Sequence, residues 1–257
     1  MISLLTLIDN MKPVFLVSAV ICAIYFEDVA AKGLPSYLKL CNRNDPNLSK
    51  CINENVEIIR PKLKQGIPEL FIPSLDPLLI SRATLDSGNA FKATFTNIEL
   101  FYADKFHLHN FDMDLEKYKV DIKIGFPTLR IKSIYNINGR LLVLNLNGKG
   151  PADGNYTNVQ AHLNLKGTPF NKNNKNFVKW EREKIDITIE KSHLFFDKIF
   201  GDNEQLNDQT NRVINENIDT IIEELQPVIQ GVVSDFVFGV VNRLFSRYSI
   251  NDLFPIS

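Results

Sequence analysis

Cysteine is scarce in this sequence, with three residues among 257, too few to build a core from disulfides. Cys22 lies in an apolar N-terminal run, which leaves Cys41 and Cys51. Their spacing is too wide for a CxxC redox pair, and they lack companions for a zinc site. An oxidising compartment would join them, which would stabilise the fold by roughly 2 to 3 kcal/mol. Two free thiols in a cytosolic protein are the alternative.

A block of charge of one sign is also missing. Lys and Arg number 29 and Asp and Glu number 30, for a formal charge of -1, and the basic residues are spread along the chain. A phosphate backbone requires a dense positive field, which this pattern does not supply. We therefore predict no nucleic-acid partner.

Catalytic and cofactor signatures are absent as well. The sequence has no G-x-S-x-G or H-E-x-x-H motif, and Gly148-Lys149-Gly150 does not continue into a phosphate-binding loop. His107 and His109 point to the same side of a predicted strand and could ligate a metal, but they occupy its wet face. We predict a non-enzymatic protein with no cofactor and no metal site. A secreted lipid hydrolase with a buried Ser/His/acid set is the least favoured alternative.

The N-terminus has the pattern of a signal peptide. Lys12 precedes the apolar run 14–26, which is shorter than the ~20 residues that a membrane-spanning helix needs. Small residues then suggest cleavage after Ala31. We predict a signal peptide at residues 1–31 and a secreted, extracellular mature chain; an uncleaved anchor is the alternative. Met11 could be the true start, because an apolar stretch precedes the first basic residue.

Linker signals are missing after residue 32. The sequence has no Gly/Ser run, no Pro-rich segment and no repeat, so residues 32–257 are predicted to form a single domain, as a monomer. Two glycosylation triplets, which begin at Asn47 and Asn155, are consistent with secretion.

Helical patterns occur near both ends of this domain. Asp45-Pro46 predicts a helix start, with apolar residues at helical spacing until Gly66, and prolines then favour an extended path to residue 78. Residues 205 to 226 form an amphipathic pattern that Pro227 is predicted to interrupt. The continuation Val228 to Phe245 is apolar nearly all round and should be buried on most sides; it is too polar in the middle for a membrane span.

Between about residues 90 and 197 the apolar residues alternate with polar ones. This period of two predicts strands with one dry face and one wet face, and Asn138-Gly139 predicts a hairpin turn. About seven antiparallel strands without intervening helices indicate a long meander, which makes the domain α+β.

Three segments carry a family resemblance. They are the cysteine pair with G-I-P-E-L-F-I-P-S-L-D-P-L, the stretch P-T-L-R-I-K-S-I-Y-N-I-N-G-R-L-L-V-L-N-L-N-G-K-G, and L-N-D-Q-T-N-R-V-I-N-E-N-I-D-T-I-I-E-E-L-Q-P with the final Leu-Phe-Pro. In this order they resemble the takeout and juvenile-hormone-binding family of insects. Asn145 replaces the usual proline, and the single cysteine pair favours the takeout-like subgroup.

The resemblance implies an α/β-wrap, in which a strongly curved antiparallel sheet embraces a long C-terminal helix and encloses an apolar tunnel. It also implies a secreted carrier of a small lipophilic ligand, such as a juvenile-hormone-like terpenoid, a fatty acid or another lipid. The alternative is a membrane-visiting lipid-transfer module, whose contact with the bilayer would be transient.

A carrier of this kind needs an apolar cavity and one or two polar groups that orient the ligand. The resemblance makes Tyr135 the candidate polar handle, because it falls at the position of the family's tyrosine and a phenol combines an apolar ring with a hydrogen-bonding end. A tyrosine whose hydroxyl merely reaches the surface of a strand is the alternative. A solid core is the alternative for the apolar set. The predicted lining is Phe91, Phe95, Ile98, Leu100, Phe106, Leu108, Val120, Ile122, Leu129, Ile131, Leu142, Leu144, Ile218, Ile221, Val232 and Phe236.

Overall fold

The computed structural model describes residues 34–86, 91–141 and 144–256, so the predicted signal peptide lies outside the described residues. Residues from Ser36 onward pack as one compact unit. The helices and strands follow in chain order: α1 (Leu48–Leu63), β1 (Leu78–Asp86), β2 (Phe91–Phe101), β3 (His107–Asp114), β4 (Lys119–Leu141), β5 (Leu144–Lys172), β6 (Lys175–Phe196), α2 (Glu204–Glu216), α3 (Ile218–Arg247) and α4 (Ile250–Leu253).

The six strands form one antiparallel sheet in the order β1-β2-β4-β5-β6. Two strands pair along the same edge of β4. The short β3 pairs with the first part of β4, and β2 pairs with the second part. β1 and β6 are the edge strands, and α3 contacts both of them. A sheet whose two edges reach the same helix must curl around it. The predicted α+β wrap, a curved and open sheet around a long C-terminal helix, is therefore confirmed.

The hairpin turn between β4 and β5 lies further along the chain than predicted. Asn138 pairs with Asn147 inside the ladder, which continues to Leu141 opposite Leu144. The reason is tertiary, because the segment after β6 crosses close over β5. A Cβ on Gly148 would lie 2.5 Å from the carbonyl oxygen of Ile199. The pairing register that places Gly148 under the segment after β6 therefore prevails over the turn preference of Asn138-Gly139.

The C-terminal helices divide at Asn217 and not at Pro227, which corrects the predicted interruption. α3 runs without a break from residue 218 to 247. Pro227 and Glu223 are both exposed, so the carbonyl that lacks an N–H partner lies on the solvent side of the helix, where water can satisfy it. At Asn217 the backbone leaves the helical region, and its side chain donates to the Val213 carbonyl at 2.8 Å.

The N-terminal helix is also shorter than predicted. α1 begins at Leu48, and the carboxylate of Asp45 accepts the Asn47 N–H before it at 2.8 Å. It ends at Leu63, and Gly66 turns the chain with a φ of 85°. The following segment is not simply extended, since it contains a 3-10 turn at Pro68–Leu70.

Two apolar clusters lie on the inner side of the sheet. The tryptophan cluster surrounds Trp180 and contains Val120, Val159, Leu163, Leu165, Val178, Ile185, Ile187, Phe245 and Phe254. The tyrosine cluster surrounds Tyr135 and contains Phe91, Ala93, Ile137, Leu146, Leu194, Phe196, Ile199, Ile214 and Ile221.

The inward-facing side chains change parity between the two clusters. On β5, the even-numbered Leu146 and Ala152 face the tyrosine cluster, whereas the odd-numbered Val159 faces the tryptophan cluster. Asn158 lies between them with a φ of 51°, a left-handed conformation that Asn tolerates better than most residues. A simple period of two therefore cannot be extended along the whole strand.

Candidate functional site

The inner wall of the candidate site is α3. Ile229, Val233 and Val237 pack against the tryptophan cluster, and Ile218 and Leu225 pack against the tyrosine cluster. By length and composition alone this helix could cross a membrane, with a mean hydropathy of 1.4. Part of its apolar surface packs against the two clusters of the sheet, but only 6% of its most apolar window is buried.

The apolar helix is enclosed but not fully packed. Only Ile221 and Phe245 of its 30 residues are buried, and residues 228–234 and 236–242 are all half-buried. A Cβ added at Gly231 or Gly239 would meet no heavy atom within 4 Å. The space beside α3 at these two glycines is therefore open, and Asp235, four residues from each of them, is exposed. We call this open space along α3 the candidate cavity.

The sheet contributes half-buried apolar side chains at the same level. Phe126, Leu129 and Ile189 lie at the border of the tryptophan cluster without being buried. Tyr156 packs against both clusters. The candidate cavity therefore has apolar walls on two sides, α3 and the middle strands.

Tyr156 is the polar group in this apolar setting. Its side chain is half-buried, and in the described part of the chain its hydroxyl has no hydrogen-bond partner. Burial, followed by the negative charge of Asp153, raises the pKa of Tyr156 to about 12. The hydroxyl is therefore neutral and free to donate to an oxygen that enters from outside the protein.

Tyr135, the predicted polar handle, lies deeper. It is fully buried, its hydroxyl donates to the Asp197 carbonyl oxygen, and its ring meets that of Phe196 edge-on at 5.2 Å. Burial, with the charge of Asp197, raises its pKa to about 12. The hydroxyl proton is already engaged, so only the oxygen lone pairs remain for a ligand.

The other predicted lining residues are distributed among several places. Phe91 and Ile221 belong to the tyrosine cluster. Phe95 and Ile218 pack against this cluster from its border. Val120 belongs to the tryptophan cluster, with Ile122 and Leu129 beside it. Ile98 and Phe106 are buried outside both clusters, and the half-buried remainder consists of Leu100, Leu108, Ile131, Val232 and Phe236.

Three leucines of the predicted lining are not assigned to the candidate cavity. Leu142 lies outside the described residues, and the side chain of Leu144 is not described either. Leu108 borders a different, open pocket of about 430 Å³ between α1 and β3, lined mainly by charged side chains. That pocket is not part of the candidate cavity.

An asparagine ladder on α2 covers the edge strand β6. Asn211 accepts the Phe196 N–H at 2.8 Å and donates to the Phe196 carbonyl at 2.9 Å. Asn215 makes the same two bonds with Leu194 at 2.8 and 2.7 Å. The side-chain amides thus replace a neighbouring strand along an edge that would otherwise be unpaired.

The long helix α3 is bonded to the same edge in the same way. Asn242 accepts from the Trp180 N–H and donates to its carbonyl, both at 2.8 Å, and Gln226 donates to the Ile187 carbonyl at 3.1 Å. These bonds hold the helix against one edge of the curved sheet. In the amphipathic pattern of residues 205 to 226, Asn215 lies on the polar side and is expected to face solvent, which the structure corrects. The asparagines spaced four residues apart from 207 to 215 are the sequence signal of the ladder.

The remaining predicted features can be located directly. Cys41 and Cys51 form a disulfide with a Cα–Cα distance of 5.8 Å, as predicted. Asn47 and Asn155, the predicted glycosylation positions, have exposed side chains. Among residues 34–86, 91–141 and 144–256, no three His, Cys, Asp or Glu side chains are grouped to hold a metal ion.

An apolar helix enclosed by a curved, open antiparallel sheet, with half-buried apolar side chains between them, defines the α/β-wrap class of proteins. The family model described as haemolymph juvenile hormone binding protein matches residues 15–255. The chain belongs to this family, which confirms the predicted takeout and juvenile-hormone-binding relationship.

Individual relatives agree with this assignment. The circadian clock-controlled protein daywake of Drosophila melanogaster is 25% identical over 236 residues, which cover 88% of this chain and 90% of that protein. The daywake protein of Drosophila yakuba is 22% identical and is matched over the same 88% of this chain and 90% of that protein. The crystal structure of Epiphyas postvittana Takeout 1 shares the fold with a TM-score of 0.69 at 19% identity, over 84% of this chain and 99% of that one.

Proposed function

We propose that this protein is a secreted, monomeric carrier that holds one small lipophilic ligand in an apolar tunnel between α3 and the sheet. The observation that carries the proposal is the half-buried state of α3 inside a curved sheet, with open space at Gly231 and Gly239. Membership of a family described by juvenile hormone binding supports the same ligand class. We expect the ligands to be terpenoids, or fatty acids of a length similar to that of juvenile hormone.

The affinity would come mainly from the removal of apolar ligand surface from water. A ligand with about 400 Å² of apolar surface gains about 10 kcal/mol when it is fully buried. Loss of its translational and rotational freedom offsets about 4 kcal/mol or more. The remainder of about 6 kcal/mol or less corresponds to a dissociation constant of roughly 40 μM or weaker, which suits a carrier that must also release its cargo.

Orientation of the ligand would come from Tyr156. Among the described residues no partner accepts from its hydroxyl, and an ester, ketone, epoxide or carboxyl oxygen could do so. Tyr135 could contribute only as an acceptor, since its own proton is directed to the Asp197 carbonyl. We therefore propose a binding protein in which these two phenols have no catalytic role.

Native mass spectrometry of the secreted protein, with organic extraction and identification of the bound molecule, tests the proposal. A stoichiometric hydrophobic species is the expected result. An empty protein from which no panel of terpenoids and fatty acids displaces a fluorescent lipid probe would contradict it.

Occlusion variants locate the ligand. Gly231→Phe and Gly239→Phe place a ring in the candidate cavity, so we expect each to lower the affinity for the probe at least tenfold. Glu224→Phe is the matched control, because Glu224 is an exposed position of the same helix. Equal binding by all three variants would place the ligand elsewhere.

A further inference from the structure

The hairpin between β5 and β6 extends beyond the rest of the sheet. The last pair that β5 makes with β4 is Lys166 with Lys119, whereas the β5–β6 ladder continues to Lys172 opposite Lys175. Asn173 and Asn174 form the turn, both with positive φ. Residues 167–179 are therefore a two-stranded ribbon that projects past the neighbouring strands, which we call the ribbon.

An aromatic side chain lies exposed on this ribbon. Phe170 is 43% exposed and is stacked on Phe177 across the hairpin, with ring centroids 5.8 Å apart. Phe177 itself is buried. The exposed ring thus packs on a buried ring of the same hairpin, within a paired stretch of strand, so a partner can bury it without ordering a flexible loop.

The surroundings of Phe170 are basic. Residues 166–180 contain four lysines and no Asp or Glu, in a chain whose formal charge is -1. Lys166 and Lys172 are exposed and have no ion pair in the described part of the chain. Lys175 makes only a long contact of 3.4 Å with Asp252, and Lys179 pairs with the exposed Glu181.

The ribbon is joined to the end of the long helix. Trp180, at its base, is bonded through its backbone to Asn242 of α3. Arg243 and Arg247 follow in the last turns of this helix, and both are exposed without an ion pair in the described part of the chain. An exposed aromatic ring on the same hairpin as Lys166 and Lys172, which have no ion pair in the described part of the chain, is the combination that anionic lipid headgroups and their acyl boundary attract together.

We propose that the ribbon docks this protein on an anionic lipid membrane, with Phe170 entering the headgroup region and the lysines contacting lipid phosphates or carboxylates. The phenyl ring gains free energy when its apolar surface leaves water for the boundary between the headgroups and the acyl chains. The contact is peripheral and reversible, since one ring and a few lysines cannot anchor a protein permanently. It does not depend on a bound cargo molecule.

Co-sedimentation of the full secreted protein with vesicles tests the docking. We expect binding to vesicles of phosphatidylcholine mixed with phosphatidylserine, weak binding to phosphatidylcholine alone, and loss of binding in high salt. Lys172→Gln with Lys175→Gln should lower the partition coefficient about tenfold or more, at roughly fivefold for each lysine removed. Phe170→Ala should lower it several-fold on its own.

Matched controls come from the same sheet. Lys149→Gln with Lys191→Gln removes two exposed lysines elsewhere on the sheet, and Phe195→Ala removes another exposed aromatic ring of β6. Far-UV circular dichroism checks that every variant is folded. Equal losses in ribbon and control variants would overturn the proposal, as would equal binding to both vesicle types. Retention on heparin without binding to anionic vesicles would also overturn it, in favour of a polyanion of another class.

Discussion

Replacing each of the two inner tyrosines by phenylalanine should separate fold stability from ligand binding. Tyr135 and Tyr156 both have a pKa raised to about 12, but their hydroxyls are in different states. The Tyr135 hydroxyl donates to the Asp197 carbonyl, whereas the Tyr156 hydroxyl has no partner in the described part of the chain. The same chemical change therefore removes a hydrogen bond at one site and none at the other.

The magnitudes follow from this difference. Tyr135→Phe leaves the Asp197 carbonyl oxygen without its side-chain donor, which costs about 1 to 3 kcal/mol of unfolding free energy. Tyr156→Phe removes a hydroxyl without a protein partner, so the unfolding free energy should stay within about 0.5 kcal/mol or rise. In return, Tyr156→Phe should weaken the binding of oxygen-bearing lipids about 5- to 10-fold, the value of one hydrogen bond. An alkane-like probe should bind equally to both proteins.

Urea unfolding measures the stabilities, with the single tryptophan of the sequence as reporter. Trp180 is buried in the tryptophan cluster, so its fluorescence reports on the loss of packing there. Displacement of a fluorescent fatty-acid probe measures the affinities. The reasoning is refuted if Tyr156→Phe is the more destabilising variant, or if it binds oxygen-bearing and alkane-like probes with unchanged selectivity.

Three further predictions concern the scaffold. Asn211→Ala leaves both backbone groups of an edge residue unpaired and should cost about 2 to 4 kcal/mol in urea unfolding, whereas Asp208→Ala, on the exposed side of the same helix, should stay within about 0.5 kcal/mol. The hydrogen bond from Arg130 lowers the pKa of Asp153, so its stabilisation is present above the ordinary Asp pKa and is lost as pH falls through the lowered one. Arg130→Gln should accordingly flatten the loss of stability below about pH 4, as acid titrations of the melting temperature would reveal. Replacing Cys41 and Cys51 by serine should lower the free energy of unfolding by roughly 2 to 3 kcal/mol, as thermal or urea unfolding would measure. An unchanged free energy would mean that the loop between the two positions is already ordered in the unfolded chain.

The asparagine ladder and the docking ribbon lie at opposite parts of the same strand. At its C-terminal end, β6 is covered by Asn211 and Asn215, which leaves no free edge there. At its N-terminal end, β6 projects beyond the sheet as part of the ribbon with the exposed Phe170. One strand is thus closed to partners where the helices meet it and open where the proposed membrane contact lies.

Much of the architecture follows from local pattern. The apolar helix at the C-terminus, the alternation of the strands and the cysteine pair each depend on neighbours in sequence, and all were predicted from it. The stretch Val228 to Phe245 was also predicted to be buried on most sides because it is apolar nearly all round. That prediction was wrong, since Phe245 is its only buried residue.

Other features depend on contacts that the sequence alone does not contain. The turn after β4 was misplaced because the crossing of residue 199 over Gly148 fixes the register, and the helix continues through Pro227 because that side of it faces water. Asn215 was read as a solvent-facing residue because its partner, the backbone of Leu194, comes close only in the folded chain.

The identity of the candidate polar group shows the same division. Tyr135 and Tyr156 both lie in strands whose apolar and polar residues alternate, and this alternation does not show which of the two hydroxyls is available to a ligand. Only the tertiary structure places the Asp197 carbonyl against one hydroxyl and leaves the other without a partner. The sequence by itself determined that an apolar helix and a one-sided sheet would pair, because burial of apolar surface requires it. Only the tertiary structure decided how closely they approach, since the space along Gly231 and Gly239 depends on the curvature of the sheet and not on any local pattern.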